Sequence, residues 1–195
     1  EGELATVKKR LLASAKELTN ARITAAKKLS LEVSEELTHL SMPHTQLVID
    51  ISTPDYAGPL KESDFASFGC DEISISIKAH ATAAAVPIGK GASGGEMSRI
   101  MLALEVVIAK THPVGTYIFD EVDAGVGGKA AIEVGRRLHL LAKSAQVIVV
   151  THLPQVAAWA DTHFRVEKRS DGLIVESGVE RLTDGQRVEE IARML

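Results

Sequence analysis

The sequence predicts an α/β fold with a long helix at its start. Three observations lead there. Residues 1 to about 42 carry apolar side chains at roughly heptad spacing. Two seven-residue segments alternate between apolar and polar residues. Further on, two near-continuous apolar runs flank a segment of helical period.

The first stretch holds no aromatic residue, no proline before Pro43 and only Gly2 among glycines. Leu4, Val7, Leu11, Leu18, Ala25, Leu29, Val33, Leu37 and Leu40 recur along it, with Ser14 a weak slot, and charged residues fill the other faces. This pattern predicts an amphipathic helix of ~60 Å ending at Pro43. Its narrow stripe suits a coiled-coil partner, although a helix packed on its own domain has a similar pattern. The organisation expected is therefore a helix over 1–42 and a globular part over 43–195.

"QLVIDIS" (46–52) and "EISISIK" (72–78) predict half-buried antiparallel strands, with Pro54, Gly58 and Pro59 marking the loop between them. "TYIFDE" (116–121) and "QVIVVTH" (146–152) suit parallel strands buried on both faces. The intervening "GKAAIEVGRRLHLLAK" (128–143) supplies a crossover helix. A short helix after Pro154, strands near 163–168 and 173–182, and a helix from Gln186 complete the expectation.

Composition narrows the function. The chain has 195 residues, 45% of them hydrophobic and 25% charged, with a net charge of −4. Contact with nucleic acid then requires a local basic patch. Cys70 is the single cysteine, which excludes an internal disulfide and suits a reducing compartment. No apolar run approaches the ~20 residues that span a bilayer, and a cytoplasmic protein without a membrane partner is expected.

Three sites carry candidate chemistry. "GKGASGGEMSR" (89–99) opens a helix, and Ser93 and Glu96 have capping-box spacing. Gly94 and Gly95 weaken that first turn, but they keep its amides and positive dipole end reachable for an anion. Asp120 and Glu121 follow the first buried strand, where open α/β sheets gather their chemistry. Adjacent acids point in different directions there, so Asp120 can hold Mg²⁺ while Glu121 orients or deprotonates a water. Two solvated acids ending a strand have the same pattern. His152 follows the second run and is expected at the same sheet edge, within reach of a terminal phosphate or the attacking water.

These signals, in this order over about 60 residues, resemble the ABC ATPase superfamily in its chromosome-maintenance, SMC-like branch. "ASGGE" is similar to its signature motif, "TYIFDE" to its Walker B strand and "VVTH" to its switch-histidine loop. Longer strings, "GASGGEMSR", "FDEVDAGVGG", "VVTHLPQVAAWAD" with "VEK", and "RVEEIARML", resemble the C-terminal part of a bacterial DNA repair family of that branch.

The resemblance implies the C-terminal lobe of an ABC-type ATPase head, with a mostly parallel sheet flanked by helices and some antiparallel strands. Residues 1–42 would be the root of a coiled coil. Ser93, Gly94 and Gly95 would meet the γ-phosphate of ATP held by a second protomer, and Glu96 would lie at the same interface. Asp120 would be the Mg²⁺-associated acid, Glu121 the catalytic base and His152 the phosphate sensor. The loop after Walker B usually carries an aspartate where Gly127 stands, so Asp123 is not assigned that role.

A phosphate loop, G-x-x-x-x-G-K-[ST], is missing. Gly89-Lys90 has Ala84 at the first glycine position and Gly91 at the Ser/Thr position, and Gly128-Lys129 has Asp123 and Ala130 there. The resemblance puts that loop upstream, in an N-terminal Walker A lobe of the same protein. The partners implied are that lobe, a second copy joined through ATP-sandwiched heads, and DNA, in a cytoplasmic, nucleoid-associated setting. Arg136, Arg137, Lys168 and Arg169 are the candidates for phosphate contact. The competing function is a non-enzymatic coiled-coil interaction module of a DNA-maintenance complex.

Overall fold

A computed structural model describes residues 2–58, 60–90, 92–112, 114–170 and 175–195, with the side chains of 168–177 outside that description. The described residues form two compact units, one of residues 2–38 and 42–90, the other of 39–41 and 92–195. Among them no helix is long and apolar enough to cross a membrane.

The first unit begins with α1 (Gly2–His39). The helix stops short of Pro43, which corrects the expected terminus. Ser41 takes a left-handed φ of 62°, and the Met42 N–H donates to the Leu37 carbonyl at 2.9 Å. That six-to-one bond satisfies an orphan carbonyl of the last turn, so the proline is not the stop. Along α1, Val33 and Leu37 are fully buried, whereas Leu4, Val7, Leu11 and Leu18 are exposed.

A polar clasp holds the middle of α1. Buried Asp71 accepts Thr19 Oγ1 at 2.6 Å and Arg22 Nη1 at 2.8 Å. Arg22 also donates to the Phe68 carbonyl. Nearer the end of the helix, Ser34 Oγ accepts the Leu47 N–H at 3.1 Å.

Strands β1 (Gln46–Ser52) and β2 (Glu72–Lys78) pair antiparallel over their full length, from Gln46 against Lys78 to Ser52 against Glu72. β3 (Val86–Pro87) adds a short antiparallel edge to β2. The half-buried alternation holds in β1, where Leu47 is buried and Asp50 exposed. In β2 it does not: Ser76 is buried while Ile73 and Ile75 are exposed. Alternation decides which residues share a face, and the packing of other elements decides which face is covered.

The second unit contains the crossover. α2 (Gly94–Ile108) leads to β4 (Thr116–Phe119), then α3 (Gly128–Leu141), β5 (Gln146–Val149) and the short α4 (Pro154–Ala157). β4 and β5 are parallel, with Thr116 against Gln146 and Phe119 against Val149. Ile100, Leu102 and Ala103 of α2, Tyr117 and Phe119 of β4, and Ala131 and Val134 of α3 are buried. Trp159 lies over Gly135 so closely that a Cβ there would sit 2.3 Å from its ring.

β6 (Phe164–Ser170) and β7 (Val175–Arg181) form an antiparallel pair, and α5 (Asp184–Met194) ends the unit.

Two expectations are corrected here. Parallel pairing is not dominant: among the described residues β4–β5 is the one parallel pair, beside a three-stranded antiparallel sheet and the β6–β7 pair. β4 and β5 are joined through α3, a crossover that returns the chain to run the same way beside its neighbour. Nor are β4 and β5 covered on both faces, since Ile118 is 72% exposed and Ile148 and Val150 are also exposed.

Candidate active site

β4 and β5 run parallel and in register, so the chain leaves both at the same end. The Val150 N–H donates to the Phe119 carbonyl at 3.0 Å, one step past the last strand pair. Asp120 and Glu121 follow on one side, Thr151 and His152 on the other. The expected shared edge is therefore observed. Glu121 turns the chain with a φ of 57°, a left-handed conformation that costs a non-glycine residue about 1–2 kcal/mol. The Ala124 N–H then closes the turn on the Glu121 carbonyl at 3.0 Å. Both Asp120 and Glu121 are exposed.

Asp123 is different: it is 2% exposed. Its Oδ2 accepts the Thr151 hydroxyl and the His152 N–H at 3.3 Å. The Nδ1 of the same histidine stands 3.5 Å from that oxygen. Thr151 Oγ1 in turn accepts the Leu153 N–H at 3.0 Å. One buried carboxylate thus gathers the loop that carries His152, whose side chain is 74% exposed. The sequence motifs give Asp123 no role. Its only sequence signal is an acid three residues after Asp120, and the partners lie 28 and 29 residues away.

The helix start behaves as its spacing predicts. Ser93 caps α2: its Oγ meets the Glu96 N–H at 3.4 Å, and the Glu96 carboxylate accepts the Ser93 N–H at 2.9 Å. The Ser93 N–H, together with the Ser93 hydroxyl that donates to the same carboxylate at 2.9 Å, holds the Glu96 carboxyl below its ordinary range, against the opposing effect of burial.

The two glycines have neighbours in the same chain. A Cβ on Gly95 would lie 2.7 Å from Ala124 Cβ, 3.0 Å from its carbonyl oxygen and 3.1 Å from the Glu121 carbonyl oxygen. A Cβ on Gly94 would lie 2.7 Å from Glu121 Oε2. The space left by the absent side chains is filled here by the acid-bearing loop.

Two side chains of α2 complete this docking. Ser98 Oγ donates to the Asp120 carbonyl and Arg99 Nη1 to the Ala124 carbonyl, each at 2.7 Å. Arg99 is buried, which pushes its guanidinium below the ordinary range, while Glu96 opposes the shift. Neither residue was singled out in the sequence, because nothing local marks a side chain that reaches a carbonyl more than twenty positions away.

The structure brings Gly94, Gly95, Asp120, Glu121 and His152 onto one scaffold of α2, β4 and β5. Among the described residues no three His, Cys, Asp or Glu side chains gather as a metal-ligand set. Arg137 is corrected as a phosphate contact. It is 4% exposed and lies 3.4 Å from the Glu133 carboxylate, whereas Arg136 is half exposed beside the same acid. The side chains of Lys168 and Arg169 lie outside the described residues.

Comparison with known proteins gives the family and the fold. Residues 9–175 match the family model described as RecF/RecN/SMC N terminal domain. The chain belongs to that family. It is 53% identical over 185 residues to the DNA repair protein RecN of Streptomyces coelicolor, covering 93% of this chain and 32% of that one. It is 46% identical over 195 residues to RecN of Mycobacterium bovis, covering 93% and 33%. The chain thus spans about a third of the length of these relatives.

Among solved structures it is similar to the Smc head domain with a coiled coil and joint from Pyrococcus yayanosii. The TM-score is 0.68 at 22% identity, over 99% of this chain and 34% of that one. The fold is that of an SMC head domain, with mixed parallel and antiparallel sheets.

Proposed function

We propose that this chain is the C-terminal lobe of an SMC-like ATPase head acting in DNA double-strand break repair and recombination, with α1 as the root of its coiled coil. The carrying observation is the shared end of β4 and β5. It sets Asp120 and Glu121 beside the His152 loop, with Asp123 joining the two. The G-x-x-x-x-G-K-[ST] pattern that grips a β-phosphate does not occur in the sequence, and the relatives are about three times longer. Both observations support a half-site that an N-terminal Walker A lobe completes. The exposed ridge of Leu4, Val7, Leu11 and Leu18 supports a helix made for a partner. The relatives' name supports the repair setting and a DNA partner in the full-length protein.

In this reading Glu121 orients the attacking water and takes its proton, and His152 meets the γ-phosphate or that water. Ser93, Gly94, Gly95 and Glu96 present the mouth of α2 to a nucleotide held by the second head of a homodimer. Glu121 must then swing off Gly94 for the phosphate to approach. Asp120 would hold Mg²⁺, whose charge offsets that of the triphosphate when bound.

The test mixes this chain with the N-terminal lobe and follows ATP hydrolysis, with and without Glu121→Gln. Reconstituted turnover that the substitution abolishes is expected, with negligible hydrolysis by this chain alone. Unchanged turnover in Glu121→Gln would exclude Glu121 as the base. No turnover in the mixture would leave the interaction-module reading, which the exposed ridge of α1 favours.

A further inference from the structure

The exposed histidine needs something to hold its ring. An imidazole that is 74% exposed has free rotation about its side-chain bonds unless a partner restrains it. Among the described residues one partner stands beside it, and it is buried. Asp123 faces the histidine loop with a single oxygen that meets Thr151 Oγ1, the His152 N–H and His152 Nδ1. A carboxylate so placed does two things. It fixes the backbone from Thr151 to Leu153, because the Thr151 hydroxyl that donates to it also accepts the Leu153 N–H. It also decides which ring nitrogen carries the proton, since a carboxylate beside Nδ1 favours the N–H there.

We infer that Asp123 is a positioning residue for His152. It holds the ring as its Nδ1–H form and turns Nε2 outward to the reacting groups. The inference rests on His152 acting at the phosphate, and it adds a residue for which the sequence motifs provide no role. The 3.5 Å separation at Nδ1 is that of a resting site, and contacts of this kind tighten when the ring engages its ligand.

Asp123 also ties two parts of the lobe together. The loop that bears it is anchored on α2 by Ser98 and Arg99 and by the close approach of Gly95 to Ala124. The ring is therefore referenced to the same helix whose mouth carries Ser93 and Gly94.

The deciding measurement is the position of the ring proton, read by nitrogen-15 NMR of this chain with His152 assigned through His152→Gln. The neutral ring is expected as the Nδ1–H form, and Asp123→Ala is expected to convert it to the Nε2–H form. A parent ring already in the Nε2–H form overturns the inference, as does an Nδ1–H form that survives Asp123→Ala. If Asp123→Ala does not fold, the parent spectrum decides alone. In the full-length protein, Asp123→Ala is expected to lower kcat about 10- to 100-fold while KM for Mg·ATP stays within about twofold. An unchanged kcat overturns the positioning role. If the parent protein turns over no ATP, the ATPase reading fails, while the ring proton still reports on the clamp.

Discussion

Adding one methyl group at Gly95 should cost stability, and adding it at Gly94 should not. Neither glycine has a positive φ, so replacing either by alanine gains about 0.4–1 kcal/mol from the reduced freedom of the unfolded chain. At Gly95 the new Cβ meets Ala124 Cβ at 2.7 Å and two carbonyl oxygens at 3.0 and 3.1 Å. Those oxygens belong to a loop that Arg99 and the Glu121 turn hold in place, so the backbone itself must move. Overpacking of that kind costs about 1–3 kcal/mol. The net expectation for Gly95→Ala is a loss of about 1–2 kcal/mol.

At Gly94 the Cβ meets only the Glu121 carboxylate, the end of a flexible side chain that can turn away. Gly94→Ala should lie within about 0.5 kcal/mol of the parent or above it. Urea unfolding of the chain measures both. For a slope of about 2 kcal/mol per molar, the Gly95→Ala midpoint should fall by about 0.5–1 M without a change of slope. Gly95→Ala as stable as the parent would refute the docking of the acid loop on α2. In the reconstituted protein, Gly94→Ala should keep the fold yet lose ATP-dependent pairing of heads. An unchanged dimerisation constant would remove the functional reading of that glycine.

Two further expectations concern pH and association. The Glu96 carboxyl is held below its ordinary value by Ser93, so its capping bonds stabilise α2 fully above the ordinary carboxylate range and are lost as pH falls through the lowered value. Thermal unfolding of the parent should show that acid loss, and Glu96→Gln, which cannot titrate, should flatten it; identical acid profiles would count against the cap. The exposed Ile118 of β4, Ile148 of β5 and Val150 just after it form an apolar surface that favours association. Light scattering over a dilution series should show self-association that added N-terminal lobe suppresses, and a clean monomer with no stabilisation by that lobe would oppose this.

Much of the fold was legible because its signals are local. The alternation of "QLVIDIS" and "EISISIK" marks two strands, and they pair over all seven positions. The S-x-x-E spacing of Ser93 and Glu96 closes a capping box within four residues. The end of α1, at His39 rather than at Pro43, is hidden from the sequence for a related reason. Pro43 is the visible helix breaker, yet the stop is a left-handed Ser41 with a bond from Met42 to Leu37, and serine carries no strong signal for that conformation.

The candidate site was legible as a set of positions but not as a set of contacts. Asp120, Glu121 and His152 stand where strand ends placed them. The spaces beside Gly94 and Gly95 suit an anion when only the helix mouth is considered, and the folded chain fills them with Glu121 and Ala124. Arg137 looks like a surface cation until α3 turns it inward against Glu133.

The sequence alone determined the periods of the chain: which residues share a face, where helices begin, and which acids and histidine end the parallel strands. Those properties depend on backbone geometry repeated over a few residues. Tertiary structure alone decided which faces are covered, that Ser98 and Arg99 grip the acid loop, and that buried Asp123 holds the His152 turn. Each of these joins residues more than twenty positions apart, and such a contact exists only once packing has brought two distant segments to within a hydrogen bond's length.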